Sequence, residues 1–272
     1  MEAVNRTDVY NISNKMNLKI VHFARGTYIK ANGKYGKLSC NRFFVPIMDG
    51  GEIKSYIRDM KNNFDLAVGN IYFIPCYHTG AVFLTENLQF ISIQFNLELY
   101  RGIDVFFRLG EIKCFYEPEF VERIKQSFEY KNDYIAAAAL RCVVWEMTVK
   151  LLSAMSAVQI EALNNFAEFS DIIQYISKNC TAATSIKELA VMHGSSREHF
   201  TRRFSKIIGI SPKQYLNNAL LNRAIQMILK DDLLSKEIAS ELEFSNEFYF
   251  SRFFKKNMGF SPRVFKRIHF PV

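Results

Sequence analysis

The C-terminal third of the chain contains one short pattern twice, and this repetition limits the folds that the chain can adopt. Residues 209–212 read Gly-Ile-Ser-Pro, and residues 259–262 read Gly-Phe-Ser-Pro, 50 positions later (259 − 209). The Phe-x-Arg-x-Phe of residues 200–204 returns at the same spacing, whereas Leu189-Ala190 returns as Ile238-Ala239 after 49 positions (238 − 189). We therefore predict one supersecondary unit in two copies, with one extra residue inside the second copy.

Apolar spacing and capping signals predict that each copy is a helix, a short turn and a second helix. The predicted pairs are 185–192 with 196–208, where Ser196 is the N-cap, and 235–242 with 246–257. Ser211-Pro212 predicts a longer helix that runs to Lys230, because proline at the first helical position has no N–H that needs a partner. Ser261-Pro262 opens the last helix, and another is predicted over 168–179.

The second helix of each copy has one apolar stripe and one polar face, which suits a reader of duplex DNA. Arg, Asn and Glu can bond guanine, adenine and cytosine edges, while Lys and Ser suit phosphates. The predicted contacts are Ser195, Ser196, Arg197, Glu198, Thr201, Arg202 and Lys206 in the first copy and Ser245, Asn246, Glu247, Ser251, Arg252, Lys255 and Lys256 in the second. Arg203 is also expected near phosphates.

Length and charge agree with this interpretation. The predicted helix 212–230 would be about 28 Å long at roughly 1.5 Å per residue, which can hold two recognition helices about one DNA turn apart. From Ser195 onward the chain has 14 Lys and Arg against 7 Asp and Glu, within an overall net charge of +8. A basic excess on one domain favours a polyanionic partner. Helical hairpins that only pack on each other are the alternative, although such solenoids usually need three or more repeats.

Residues 184–268 resemble the DNA-binding domain of the AraC/XylS family of transcription regulators. The resemblance rests on the first-copy motif Ile-Lys-Glu-Leu-Ala at 186–190, the Tyr-Phe-Ser-Arg of 249–252 and both Ser-Pro pairs. It implies a sequence-specific bacterial regulator, expected to be an activator, with double-stranded DNA and RNA polymerase as partners. Glu243 departs from the family, which usually has Gly in that turn, and predicts an altered or strained turn.

The first part of the chain reads as short strands. Aromatic and β-branched residues concentrate at 20–23, 43–45, 71–74 and 90–95. Turn signals at Asn32-Gly33, Asp49-Gly50-Gly51 and Gly69-Asn70 separate them, which favours a sandwich or small barrel. The stretch from Gly69 to His78 resembles a segment of cupin-like sensor domains. The expected fold is thus α+β: a cupin-like β-barrel with a helical pair over residues 1–158, then an all-α domain over 159–272, with two helix-turn-helix units joined by a linker helix.

A barrel of this kind can hold one small ligand. The family resemblance implies an effector, often a sugar or related metabolite. The candidate contacts, each of which can equally be a core residue, are Tyr28, Tyr35, Phe44, Tyr72, Tyr77 and His78. We expect no metal and no cofactor, because the chain has five His and no His-x-His pair. A cupin-type metal-dependent enzyme or a carbohydrate-binding protein with a basic helical appendage is the alternative, as are an effector-free regulator, a repressor and a non-specific nucleic-acid coat.

Two helices, 118–130 and 132–155, are predicted as an antiparallel pair. Trp145, Met147, Leu151, Leu152 and Met155 would form an apolar seam that pairs two chains, or they would only cover the barrel. A homodimer through residues 118–155 is favoured.

Cysteine usage and hydropathy indicate a cytoplasmic protein. The five Cys are scattered without metal-finger spacing, as reduced thiols would be. The polar start has no apolar signal region, and no apolar run approaches the roughly 20 residues of a membrane helix.

Overall fold

The computed structural model describes residues 7–27, 31–35, 40–49, 51, 54–100, 103–107, 109–230, 233–258 and 261–269. The chain divides into two compact units, and for most of the chain the division falls between Ile160 and Glu161. The first unit contains two antiparallel sheets and a few helices. The second is helical. None of the described helices is long and apolar enough to cross a membrane.

The larger sheet of the first unit contains all four predicted strands. It has the order β1-β8-β3-β6-β10, with β9 paired to β8. Its strands are β1 (Asn17–Thr27), β3 (Asn41–Met48), β6 (Asn70–Ile74), β8 (Gln89–Tyr100), β9 (Ile103–Asp104) and β10 (Lys113–Tyr116). Residues 43–45, 71–74 and 91–95 are buried on both faces of the sheet. For 43–45 and 71–74 this burial explains the continuous apolar runs. Residues 91–95 instead alternate apolar side chains with Ser92 and Gln94, which are buried polar residues.

The smaller sheet has the order β2-β7-β4-β5. Its strands are β2 (Ala31–Tyr35), β4 (Tyr56–Arg58), β5 (Asn63–Asp65) and β7 (Gly80–Leu84). The predicted turn at Asn32-Gly33 is wrong, because both residues lie within β2 and pair with Phe83 and Val82. The turn at Gly69 is confirmed, with φ +89°. No strand pairing among the described residues joins the two sheets into one closed barrel.

A buried carboxylate ties three parts of the larger sheet together. Asp104 accepts hydrogen bonds from Asn41 Nδ2 (2.7 Å), Asn96 Nδ2 (3.2 Å) and the backbone N–H groups of Leu97 (2.9 Å) and Phe106 (2.8 Å). Burial raises the pKa of Asp104 to about 6, although these four hydrogen bonds oppose the shift. The carboxylate therefore connects β3, β8 and β9 inside the core.

The predicted helical pair is present as α2 (Pro118–Gln126) and α3 (Asp133–Ser153) after an N-terminal α1 (Thr7–Lys15). Arg123 of α2 donates two hydrogen bonds to Glu146 of α3, at 2.6 and 2.8 Å. The predicted dimer seam needs correction, because Met147 and Leu151 are buried in the unit's own core. They lie on the inner face of α3 and cannot form an outward seam.

The second unit follows the predicted helix boundaries closely. After α4 (Ala157–Asn164) and a 3₁₀ helix (Asn165–Phe169), its helices are α5 (Ser170–Asn179), α6 (Ile186–Met192), α7 (Arg197–Ile208), α8 (Pro212–Lys230), α9 (Ser235–Glu241), α10 (Glu247–Met258) and α11 (Pro262–His269). Helix α8 has the predicted bounds. The local signals are strong enough to set these ends because Ser and Pro act within one turn of the helix start.

Candidate nucleic-acid interface

The helix pair α6–α7 is defined at both ends by local caps. Ser185 accepts the N–H of Glu188 at 3.1 Å, and Ser196 accepts the N–H of His199 at 3.2 Å. The predicted N-cap role of Ser196 is therefore seen. Gly209 ends α7 in the left-handed conformation, with φ +87°.

The pair α9–α10 repeats this geometry. In the first turn the N–H of Ser195 donates to Ala190 O at 3.0 Å, and in the second the N–H of Phe244 donates to Ala239 O at 2.8 Å. The donors Ser195 and Phe244 are 49 positions apart (244 − 195), as are the two acceptors. The caps Ser196 and Asn246 are 50 positions apart (246 − 196). The extra residue of the second copy therefore lies between Phe244 and Asn246.

Glu243 adopts the left-handed conformation that glycine provides in the first turn. Its φ is +54°, against +70° for Gly194. The turn is thus kept, and the departure from glycine appears as backbone strain. The Glu243 carboxylate accepts a hydrogen bond from Thr181 Oγ1 at 2.8 Å, and Ala182 N–H donates to Leu242 O at 2.9 Å. These contacts attach the segment before α6 to the turn of the second pair.

Aromatic rings anchor the inner face of each second helix. Phe200 and Phe204 of α7 are fully buried and pack against Phe169, at centroid distances of 5.9 and 5.1 Å. Phe250 and Phe254 of α10 are also buried. The predicted inward stripe is therefore present, and it fixes which face of each helix is exposed.

The predicted DNA contacts lie on the exposed sides of both helix-turn-helix copies. Ser195, Thr201 and Ser251 are half-buried, and the exposed members are Ser196, Arg197, Glu198, Arg202, Lys206, Ser245, Asn246, Glu247, Arg252, Lys255 and Lys256. Arg202 and Arg252 thus occupy equivalent exposed positions one turn into α7 and α10. These positions suit contacts in a major groove, because a recognition helix reads base edges near its N-terminus.

Some polar groups at this surface already have partners within the unit. Asn246 Oδ1 accepts the N–H of Tyr249 at 2.9 Å, so the amide serves as the N-cap of α10. Ser195 Oγ lies 3.1 Å from His193 Nδ1. Arg203, which we expected near phosphates, instead donates from Nε and Nη2 to the Glu168 carboxylate, at 2.8 and 2.7 Å. These hydrogen bonds lower the pKa of Glu168.

Two exposed aromatic residues were missed by the sequence interpretation. Phe248 and Tyr249 lie in the first turn of α10, off its buried stripe. Their sequence signal is an apolar residue at a position where the helical period requires a polar one.

Comparison with known proteins agrees with this geometry. A family model described as a helix-turn-helix domain matches residues 189–268. The chain is 24% identical over 152 residues to the lactose operon transcription activator of Staphylococcus xylosus, which is 55% of this chain and 53% of that protein. It is 32% identical over 104 residues to the bifunctional transcriptional activator/DNA repair enzyme AdaA of Bacillus subtilis strain 168, which is 38% and 49% of the two chains. These similarities agree with the resemblance of residues 184–268 to the DNA-binding domain of the AraC/XylS family.

The chain spans about half the length of these two curated relatives. A solved structure, ToxT from Vibrio cholerae O395, has the same fold over nearly all of both chains. It covers 92% of this chain and 99% of ToxT, with a TM-score of 0.63 and 13% sequence identity. The chain therefore shares a two-domain fold with ToxT: a sheet-containing N-terminal domain and a helical C-terminal domain.

The effector candidates of the first unit do not all lie together. Tyr28 is outside the described residues, as is the side chain of Tyr35. Phe44 and Tyr72 are buried in one core cluster. The Tyr72 hydroxyl donates to Asp65 O at 2.6 Å and accepts from Ala67 N–H at 2.9 Å, so it serves the fold.

Tyr77 and His78 lie in the loop after β6. Tyr77 has φ +60° and packs edge-on against Phe107. His78 Nε2 is 3.8 Å from Asp59 Oδ2, and burial lowers the pKa of His78. Burial alone would raise the pKa of Asp59, but backbone N–H groups of Lys61, Asn62 and Ile112 outweigh it, and this pKa is lowered. The described residues contain no cluster of three metal-ligating side chains.

Proposed function

We propose that this protein is a sequence-specific DNA-binding transcription regulator that activates bacterial promoters. The supporting observation is the duplicated helix-turn-helix, whose two copies have second helices of equal length and equivalent exposed arginines at 202 and 252. A purely structural repeat does not require a basic polar face on the same helix of each copy. We assign residues 159–272 to DNA binding and residues 1–158 to sensing and dimerisation.

Selection of binding sites from a random pool of duplexes with the full chain tests this proposal. We expect one enriched site, bound at least about 10³-fold more tightly than scrambled DNA at physiological salt. A non-specific nucleic-acid coat would show a salt dependence but no discrimination between competitors. Equal affinity for the selected and scrambled duplexes would refute the proposal.

Variants of α7 separate base contacts from phosphate contacts. Arg202→Ala should weaken binding to the selected site by about 1–3 kcal/mol and relax base choice at one position. Lys206→Ala should weaken all sequences alike. Arg203→Ala is the matched control: it removes the same charge from the next residue, but its guanidinium already binds Glu168. Identical behaviour of the Arg202 and Lys206 variants on selected and scrambled DNA would contradict these roles.

We also propose that two chains pair through the outer face of α3. Ile135, Ala138, Cys142, Trp145 and Val149 follow the alternating three- and four-residue spacing of a coiled-coil seam. Ile135 is 53% exposed and Val149 57% exposed, although the helix is packed on its opposite face. This stripe differs from the predicted seam. Trp145 and Leu152 of that seam are half-buried and lie on the stripe, and Met155, also half-buried, follows the end of α3. The 21-residue helix is long enough for about three heptads.

Sedimentation of the full chain tests this pairing. Val149→Arg should convert a dimer into a monomer, because a charge in an apolar seam is costly to bury. Met60→Arg is the control, since Met60 is 98% exposed and lies in a loop of the same unit. Unchanged sedimentation of the Val149 variant would exclude this seam.

The first unit is proposed to bind a small-molecule effector, with Tyr77 and His78 as the candidates, because both are half-buried in the loop after β6. A cupin-like ligand site is part of this proposal. One solved ToxT structure is described as unsaturated fatty acid bound, so the compounds to test include fatty acids as well as sugars. A rise in the unfolding temperature that His78→Gln reduces would support it, because a ligand that binds only the folded state stabilises it.

The remaining expectations are also proposals. We propose that the activator contacts RNA polymerase, acts in the cytoplasm and carries no catalytic activity. Stoichiometric metal in the purified chain would instead favour the cupin-type enzyme.

A further inference from the structure

The first turn of α10 exposes an aromatic side chain that the fold does not use. Phe248 is 82% exposed, whereas Phe250 and Phe254 of the same helix are fully buried. An exposed phenyl ring gains no burial energy, and full burial of such a side chain is worth roughly 1.5–3 kcal/mol. Packing within the second unit therefore does not explain this residue.

Phe248 lies on the same face of α10 as two cationic side chains. Residues three and four apart lie on the same side of a helix, so Phe248 shares a face with Ser251, Arg252 and Lys255. Arg252 and Lys255 are exposed. A ring next to two cations at the start of a recognition helix suits a negatively charged groove with apolar groups on its floor.

The neighbouring polar side chain is restricted by the fold. Asn246 is the predicted adenine reader, but its amide oxygen accepts the N–H of Tyr249 at 2.9 Å. This cap fixes the orientation of the amide and works against a bidentate adenine contact. The exposed side chains left in the first turn of α10 are Glu247 and the aromatic residues Phe248 and Tyr249.

The equivalent position in the first helix-turn-helix copy carries a charged side chain instead of an aromatic one. At the spacing of 50 that relates the two caps, Phe248 corresponds to Glu198 (248 − 198), and both are exposed. Glutamate accepts from the amino group of cytosine, whereas an aromatic ring contacts the C5-methyl group of thymine. The corresponding exposed side chains of the two helix-turn-helix copies therefore differ in chemistry.

We infer that Phe248 determines the specificity of the second helix-turn-helix copy by apolar contact with thymine methyl groups in the major groove. This inference rests on the proposed DNA-binding function. It predicts an asymmetric binding site in which one half contains one or two thymines that depend on Phe248.

Site selection with the full chain and three variants tests the inference. Phe248→Ala should lose the preference at the thymine positions, while the base preferences of the first helix-turn-helix copy remain. Phe248→Leu should retain much of it, because leucine keeps an apolar surface. Val191→Ala is the matched control: Val191 is 70% exposed on α6, outside the second helices of both copies. The unfolding temperatures should not differ, since Phe248 is exposed.

Replacement of thymine by uracil at those positions removes only the methyl group. For the wild-type chain we expect roughly a fourfold loss of affinity, which corresponds to about 0.8 kcal/mol for one buried carbon group. We expect the Phe248→Ala variant to bind the uracil-containing and thymine-containing duplexes with equal affinity. A wild-type chain that selects a site but loses nothing with uracil would overturn this inference alone.

Two other outcomes are distinguishable. If Phe248→Ala keeps the full site preference but activates transcription poorly, Phe248 contacts a protein such as RNA polymerase, and the thymine assignment is overturned. If the wild-type chain shows no preference for any sequence, the proposed function itself fails, and the inference fails with it.

Discussion

The two turns of the repeat predict stability changes that depend on backbone conformation. Gly194 has φ +70°, and a Cβ added there would meet nothing within 4 Å. Gly194→Ala therefore introduces no clash. The left-handed conformation costs a side-chain-bearing residue roughly 1–2 kcal/mol, and the smaller freedom of alanine in the unfolded chain offsets about 0.4–1 kcal/mol. We expect Gly194→Ala to lower the free energy of unfolding by about 1 kcal/mol.

Glu243 provides the matched test in the second turn. Its φ is +54°, and its carboxylate accepts a hydrogen bond from Thr181 at 2.8 Å. Glu243→Ala and Glu243→Gly both remove that hydrogen bond, so the difference between them isolates the backbone. We expect the glycine variant to be more stable than the alanine variant by about 1 kcal/mol. Relative to wild type, the glycine variant should change little, because the relief of strain and the lost exposed hydrogen bond are of similar size.

Calorimetry of the full chain measures these differences. The transition of the second unit can be assigned as the one that specific duplex DNA shifts upward. For a domain the size of Glu161–Val272, about 1 kcal/mol corresponds to roughly 3–6 °C in the unfolding temperature. If the alanine and glycine variants at position 243 unfolded at one temperature, or Gly194→Ala matched wild type, the left-handed assignment of these turns would be wrong.

Further substitutions test the N-terminal core and the capping of α7. Because the folded-state pKa of Asp104 is raised to about 6, its contribution to stability is present at low pH and is lost as the pH rises from about 4 through 6. Urea unfolding should therefore show a decline over that range that Asp104→Asn lacks. At pH 7, Asp104→Asn should cost about 1–3 kcal/mol, because its amide would face the N–H of Phe106. Tyr72→Phe should cost a similar amount, since Asp65 O and the Ala67 N–H lose a buried partner, and it should leave the affinity for any effector unchanged. Ser196→Ala should cost about 1 kcal/mol through loss of the cap at His199; an unchanged unfolding midpoint would show that this cap contributes nothing.

Helix ends and repeat boundaries could be predicted from sequence because their causes are local. Ser196 caps α7 by a bond three residues along the chain, and Ser211-Pro212 defines the start of α8 within one turn. Four of the six strands of the larger sheet were also predicted, because aromatic and β-branched residues concentrate in them. The strands of the smaller sheet were missed. They are three to five residues long, and a short strand becomes recognisable only through its partner, which lies far away in sequence.

The duplicated helical unit, its exposed arginines and its resemblance to a family of regulators were readable from the sequence, because each depends on residue type and spacing along the chain. Which face of α3 is buried became clear from the folded chain alone, since that helix is apolar on several sides and its period does not distinguish them. The fold also decided that Asn246 serves as a cap, that Arg203 pairs with Glu168, and that Phe248 stays exposed. Each of these outcomes depends on which neighbour the folded chain brings within reach of the side chain.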